Sequence, residues 1–271
     1  MTKFQLPKRE QNSNKGTFGR VLNFAGSENY VGAAYLSSLG AYKIGAGFVA
    51  VSSQKNISNK VSILLPEAVL LNDTEALKQV NKFNVYIVGC GFGQNFFSKS
   101  RFKKIINRLK NTTKPVIVDA DGLNIISSCK FSLPENLIIT PHPAEAARLL
   151  KIKTEDVLAD LEGSAMQLTN TYKCITVLKT HRTIVCSKDK KIYINEYGNS
   201  ALAKAGTGDV LAGIIAGLIA QSLTPFEAAK LGVYMHSRAG EIASETLTEY
   251  SVLASEITEY LPKVFKELIN Q

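Results

Sequence analysis

The chain of 271 residues has no tryptophan, only three histidines and four cysteines. With His142, His181 and His236 scattered and no C-x-x-C pair among Cys90, Cys129, Cys174 and Cys186, neither a histidine-rich metal centre nor a disulfide framework is expected. Three of the cysteines lie in apolar, strand-like surroundings, where this residue ordinarily serves as a small buried hydrophobe. Long apolar runs are also missing. The longest, Val210 to Ala220, falls far short of the roughly 20 residues that a membrane helix needs. The N-terminal stretch MTKFQLPKREQNSNKGTFGR is polar, with none of the apolar region of a signal peptide. The expectation is a cytoplasmic protein with no membrane partner.

Acidic residues are the minority, 23 against 32 lysines and arginines, for a net charge of +9. The one dense basic stretch, KSRFKKIINRLKNTTK (99–114), brings Phe102, Ile105, Ile106 and Leu109 onto one helical face, so its charges read as a solvated face. No basic-and-aromatic recognition motif accompanies it, and no nucleic-acid partner is expected. A moderate basic excess suits small polyphosphate ligands.

What the chain does have is alternation. GRVLNFAGS (19–27), FVAVSS (48–53), NVYIVGCGFG (84–93), KPVIVDADG (114–122) and the start of LIITPHPAE (137–145) read as strands separated by helical segments at 29–47, near 74–83 and in the basic stretch. One helix is expected over about 155–172. CITVLKT (174–180), RTIVCSKD (182–189) and KKIYINEY (190–197) follow as strands, the last two as a hairpin, and helices fill the remainder. No repeat, low-complexity tract or linker interrupts the chain, so one domain over 1–271 is expected. Such alternation predicts an α/β fold with a largely parallel sheet covered on both faces. Ligands in these folds sit at the carboxyl ends of the strands. Glycine and polar groups concentrate there in GCGFG, DADG, TPHPAE and KTHRT.

The stretch ALAKAGTGDVLAGIIAGLIAQ (201–221) sets a glycine loop before an apolar helix. Gly206 and Gly208 let backbone approach a ligand, and the helix's free amides around Gly206, Thr207 and Gly208 make an anion site. Asp209 is either the N-cap of that helix or a general base facing a nucleophile that attacks phosphorus held by the amides. Lys179 ends a strand, where a lysine is ordinarily solvated; with Thr183 and the intervening backbone it could hold a phosphate or ribose. His142 stands between two prolines in a stiff loop, a ligand-positioning arrangement. Glu145 suits a helix start or a metal-bound water. Asp119 and Asp121 are expected on one strand face, to hold Mg²⁺ or ribose hydroxyls or to cap the next helix together with Asn124. GCGFG could let a flat ring or pyrophosphate lie on bare backbone.

Taken in order, NKGTFGRVLNFAGSENYVGAA, VGCGFG, VDADGLN, IITPHPAE, VLKTHRT and NSALAKAGTGDVLAGIIAGLIAQ resemble the ADP-dependent NAD(P)H-hydrate dehydratases, over about residues 14–265. AGTGD alone is shared with vitamin and sugar kinases; TPHPAE with KGTFGRVLNFAG is much more specific. The resemblance implies a ribokinase-like three-layer α/β/α fold, ADP as co-substrate, Mg²⁺ with the phosphates and no metal ligand that can be named. It implies that the hydrate contacts Ala34 (or its neighbour Ala33), Gly93, His142 and Asp209. ADP or AMP would contact Lys179, Thr180, His181, Arg182, Thr183 and Gly208, with Asp209 as base and Gly206, Thr207 and Gly208 as the anion hole. The chain departs from the family pattern at Asn14 (usually histidine), at Ala144 and Thr180 (usually glycine) and at Cys90, where GPG is usual. Family members commonly form tetramers, and the C-terminal helices could supply an interface. The chain has no room for the N-terminal epimerase domain of many relatives, so a separate epimerase is expected. An ATP-dependent vitamin-precursor kinase of the same fold, and a binding protein without turnover, are the competing readings.

Overall fold

The computed structural model describes residues 4–270. In chain order its elements are β1 (Arg20–Phe24), α1 (Val31–Lys43), β2 (Phe48–Ser52), α2 (Lys55–Leu64), β3 (Val69–Leu71), α3 (Asp73–Lys78), β4 (Val85–Val88), α4 (Phe96–Leu109), β5 (Val116–Val118), α5 (Asp121–Ser128), β6 (Leu137–Ile139) and α6 (Pro143–Leu150). They continue with α7 (Thr154–Ala159), α8 (Leu161–Tyr172), β7 (Ile175–Leu178), β8 (Ile184–Cys186), β9 (Ile192–Ile194), α9 (Thr207–Ala220), α10 (Pro225–Ser251) and α11 (Ala254–Ile269). The strands form one sheet in the order β3-β2-β1-β4-β5-β6-β7-β8-β9. It is parallel through β7, and β8 and β9 add antiparallel at its edge, as the expected hairpin.

The strands are predominantly apolar because both faces are covered. Val21, Val49, Val51, Val85 and Ile87 point into one core, with α1, α9, α10 and α11. Their neighbours Leu22, Ala50, Tyr86 and Val88 point into the other, with α4, α5, α6 and α8. The result is the three-layer, ribokinase-like arrangement. No helix among the described residues is long and apolar enough to cross a membrane.

The apolar α9 owes its small residues to α1. A Cβ at Gly213 would stand 2.0 Å from the Ser37 carbonyl oxygen, and one at Gly217 2.2 Å from Ile44. The two backbones touch, which brings the first turn of α9 close to the ends of β1 and β4. Gly213→Val therefore forces the helices apart. We expect a loss of about 3 kcal/mol or more in urea unfolding, at the upper end of what overpacking costs. A midpoint unchanged from the native protein would show that the contact is slack.

Three expectations change. The helix expected over about 155–172 is two helices, because Asp160 leaves helical geometry and caps α8 through the Gly163 amide at 2.8 Å. The segment 55–71 holds α2 and the short edge strand β3, neither of which was expected: α2 is largely polar and β3 is three residues long. Asp119 and Asp121 do not share a strand face. β5 stops at Val118, Ala120 turns with φ +52°, and Asp121 opens α5. Cys90, Cys174 and Cys186 are buried and Cys129 is exposed, all as free thiols.

Candidate active site

β1 has β2 on one side and β4 on the other, so the strand order reverses between β1 and β4 and opens a crevice at their carboxyl ends. The Gly26 amide donates to the Cys90 carbonyl at 2.8 Å across it. Beyond, the ends of β5, β6 and β7 bring up Asp119, His142 and Lys179. The first turn of α9 faces them.

α9 is capped by Gly206 in a left-handed conformation, φ +92°, with no side-chain cap. Asp209 is thus not the N-cap. It lies a residue past Gly208 in the first turn, its side chain released from capping. Among the described residues, the amides of Gly206, Gly208 and Asp209 donate to no protein acceptor. They are open donors at the positive end of a buried helix.

Lys179 is not solvated. Its Nζ donates to Asp119 Oδ1 at 2.8 Å, with Asp119 only 1% exposed. Burial pulls the lysine's pKa down, but the charges of Asp119, Glu145 and Asp209 outweigh it and raise the value above the ordinary one. A Cβ on Gly208 would lie 3.1 Å from this Nζ, so glycine leaves the lysine room beside the open amides. Burial lifts the Asp209 pKa to about 7, helped by the charge of Asp119 and countered by the Cys90 thiol and Lys179.

His142 caps α6. Its Nδ1 accepts from the Glu145 amide at 3.4 Å, and Glu145 Oε2 accepts from the His142 amide at 2.9 Å. Burial, then the positive charges of Lys179 and Arg148, lower the imidazole to about 4, so it is neutral near pH 7. Buried Glu145 is pushed up by desolvation against the pull of Lys179.

A cavity of about 840 Å³ opens beside this cluster, with His142, Lys179, Thr180, His181, Thr183 and Gly208 on its wall. A larger groove of about 1130 Å³ lies at the other end of the sheet, where β6 and β7 begin. Its Lys151 and Lys173 are left-handed C-caps of α6 and α8, a structural use of lysine at a helix's negative end.

The sequence profile of the NAD(P)H-hydrate dehydratase family matches residues 21–263, which include every strand end just described. The chain belongs to this family. It is 39% identical over 249 residues to the ADP-dependent (S)-NAD(P)H-hydrate dehydratase of Neisseria meningitidis serogroup B, covering 88% of this chain and 81% of that one. It is 32% identical to the bifunctional NAD(P)H-hydrate repair enzyme Nnr of Moorella thermoacetica; 97% of this chain aligns, but it spans only 52% of that protein. Among solved structures, the ADP/ATP-dependent NAD(P)H-hydrate dehydratase of Bacillus subtilis, co-crystallized with ATP/Mg²⁺, superposes with a TM-score of 0.88 at 30% identity. The superposition covers 97% of this chain and 94% of that one.

Against the family's expected contacts, the fold gathers some residues and separates others. Lys179, Thr180, His181, Thr183, Gly208 and His142 share the cavity wall; Arg182 is exposed outside it. Thr180 and Thr183 close their turn on each other, the Thr183 hydroxyl donating to the Thr180 carbonyl at 3.1 Å and Thr180 Oγ1 to the Arg182 carbonyl at 2.7 Å. Ala34 is fully buried, 3.1 Å below the place of a Cβ on Gly26. Ala33 is half-buried against Gly91. Gly93 is held by Asp121, whose Oδ2 accepts its amide at 2.7 Å.

Reasoning from the sequence passed over Lys204 and His236, which also border the cavity. Lys204 lies within the quoted loop before α9. His236 sits deep in α10, where nothing in the sequence separates it from a packing residue.

The only three-donor group among the described residues is Cys90, Asp119 and Asp209. It does not suit Mg²⁺. A thiol is a soft ligand for a hard cation, and Asp119 is already paired with Lys179.

Proposed function

We propose that this protein dehydrates (6S)-NAD(P)H hydrate using ADP, yielding NAD(P)H, AMP and phosphate. One observation carries the reading: Asp209, in no ion pair among the described residues, stands in the same helical turn as three open amides and beside Lys179. The amides and Lys179 hold the β-phosphoryl group of ADP. Asp209 takes the proton from the ring hydroxyl of the hydrate as its oxygen attacks the β-phosphorus, and AMP departs. The phosphorylated hydroxyl then leaves as phosphate, driven by the lone pair of the ring nitrogen. Neutral His142, the bare backbone at Gly93 and half-buried Ala33 are the hydrate-side contacts, while Ala34, fully buried, packs beneath them and does not touch the hydrate; Lys179 to Thr183 and Gly208 are the ADP side. Among the described residues no three acidic side chains converge on one point, and in this reading Mg²⁺ accompanies the nucleotide's phosphates. Epimerisation of the hydrate is assigned to a domain or protein other than the one described, action in the cytoplasm and self-association into a tetramer being part of the proposal.

The deciding experiment adds hydrated NADH to the protein with Mg²⁺ and either ADP or ATP and follows reduced-nicotinamide absorbance. Recovery with ADP, one AMP per NADH, is the expected result. No recovery with either nucleotide, from folded protein that binds ADP, overturns the reading.

The raised Asp209 pKa fixes a pH dependence. The base works only when ionised, so kcat/KM rises with pH through an inflection near 7 and levels above it. Stability moves oppositely. The folded protein holds the Asp209 proton more tightly than the unfolded chain does, so this group's contribution is full below about pH 4 and is lost as pH rises through about 7. An activity profile flat from pH 5.5 to 8 would remove Asp209 from the rate-determining proton transfer.

A further inference from the structure

The turn after β4 holds one side chain more tightly than a loop requires. Gly89, at φ +118°, has no space for a Cβ, which would fall 2.5 Å from the Asp119 carbonyl oxygen. Gly91, at φ +63°, would press on the Cβ atoms of Ala33 and Tyr30 at 2.7 Å. Between them Cys90 is fully buried, its carbonyl fixed by the Gly26 amide at 2.8 Å. Backbone on both sides thus determines where the thiol points. It points at the carboxylates: Cys90 Sγ, an Asp119 oxygen and an Asp209 oxygen all lie within 4.8 Å of one another.

Asp119 already has a partner in Lys179. Asp209 accepts from no backbone amide and joins no ion pair among the described residues. Facing it are Asp119 and Asp121 from the β5–α5 turn, Lys179 from the end of β7, and Cys90 from the β4 turn. Of these, only Cys90 and Lys179 favour the ionised carboxylate, and the lysine's hydrogen bond goes to Asp119.

Building on the dehydratase reading, we propose that Cys90 is a positioning residue for the base: its S–H donates to the Asp209 carboxylate, orients it, and sets the pH range in which it accepts a proton. The thiol stays protonated in this role. Burial and the two neighbouring acids push it well above an ordinary cysteine, so it is neither a nucleophile nor a readily oxidised group.

The test compares Cys90→Ala, which removes the donor, with Cys90→Ser, which keeps one. In the alanine variant the acid limb of the kcat/KM profile moves at least half a pH unit upward, lowering kcat/KM at pH 6 about threefold or more, since a unit of pKa is a tenfold change in ionisation. The KM for ADP stays near the native value, and serine returns the limb to the native position or below it. A merely structural cysteine would lower the melting temperature without moving the limb. A second measurement needs no turnover. In the difference infrared spectrum of native protein against Cys90→Ser, the S–H stretching band should step in frequency as Asp209 ionises. That step should vanish in Asp209→Asn. An alanine limb coincident with the native one, or a band indifferent to pH, overturns the proposal. If the native protein dehydrates no hydrate, the dehydratase reading falls while the band still decides the contact.

Discussion

Asp209→Asn should lower kcat by roughly a thousandfold, within the range that loss of a positioned general base costs, while ADP binds as tightly as before or more tightly. The two effects have different origins. The amide keeps the carboxylate's shape but takes no proton from the attacking hydroxyl. It also removes a negative charge from beside the open amides of Gly206, Gly208 and Asp209, where a carboxylate repels the phosphate they attract. A third consequence separates this residue from a structural acid. Because the native carboxyl is held near pKa 7, its ionisation above that pH works against the fold, and the neutral asparagine is spared that cost. The variant should therefore be at least as stable as the native protein at pH 8. Single-turnover recovery of reduced nicotinamide, titration calorimetry with ADP and urea unfolding at pH 8 measure the three effects. Turnover within tenfold of native would end the assignment of Asp209 as the base.

Lys179→Met should cost about 3–5 kcal/mol, the usual effect of removing one partner of a buried ion pair. Lys179 stands among the carboxyls of Asp119, Glu145 and Asp209, and its Nζ is the hydrogen-bonded partner of Asp119 at 2.8 Å. Methionine fills much the same space and leaves Asp119, at 1% exposure, charged and unaccompanied. Asp119→Asn on the Lys179→Met background should recover most of the lost stability, since no buried charge is then left without a partner. It should not recover ADP binding, because the cation beside the open amides is still gone. Unfolding free energies of the two single variants, the double variant and the native protein give the coupling directly. A coupling below about 1 kcal/mol would mean that Asp119 finds solvent when the lysine is removed.

The sheet and its two helical layers were legible because strands buried on both faces are nearly continuous apolar runs, as in VYIV and VIV, and glycine or polar residues stop them sharply. α2 and β3 were hidden because one is mostly polar and the other too short to show a pattern. At the site, motif spacing identified AGTGD and TPHPAE as chemical, and the family profile covers both. His236 gave no such sign, standing between Met235 and Ser237 within a long helix.

The sequence by itself determined the layers, the nearly all-parallel order of strands and the glycine-opened helix start, because these depend on local periodicity and on where a Cβ is absent. The tertiary structure decided the electrical character of the site. Lys179 is a half-buried, paired cation because β5 and β7, on either side of β6, end at the same edge of the sheet, so that Asp119 meets its Nζ at 2.8 Å. Asp209 is a weak acid because the start of α9 packs it, half-buried, against the end of β5 and its second carboxylate, Asp119. Charge and desolvation depend on distances between segments far apart in the chain, and only the packed sheet sets those distances.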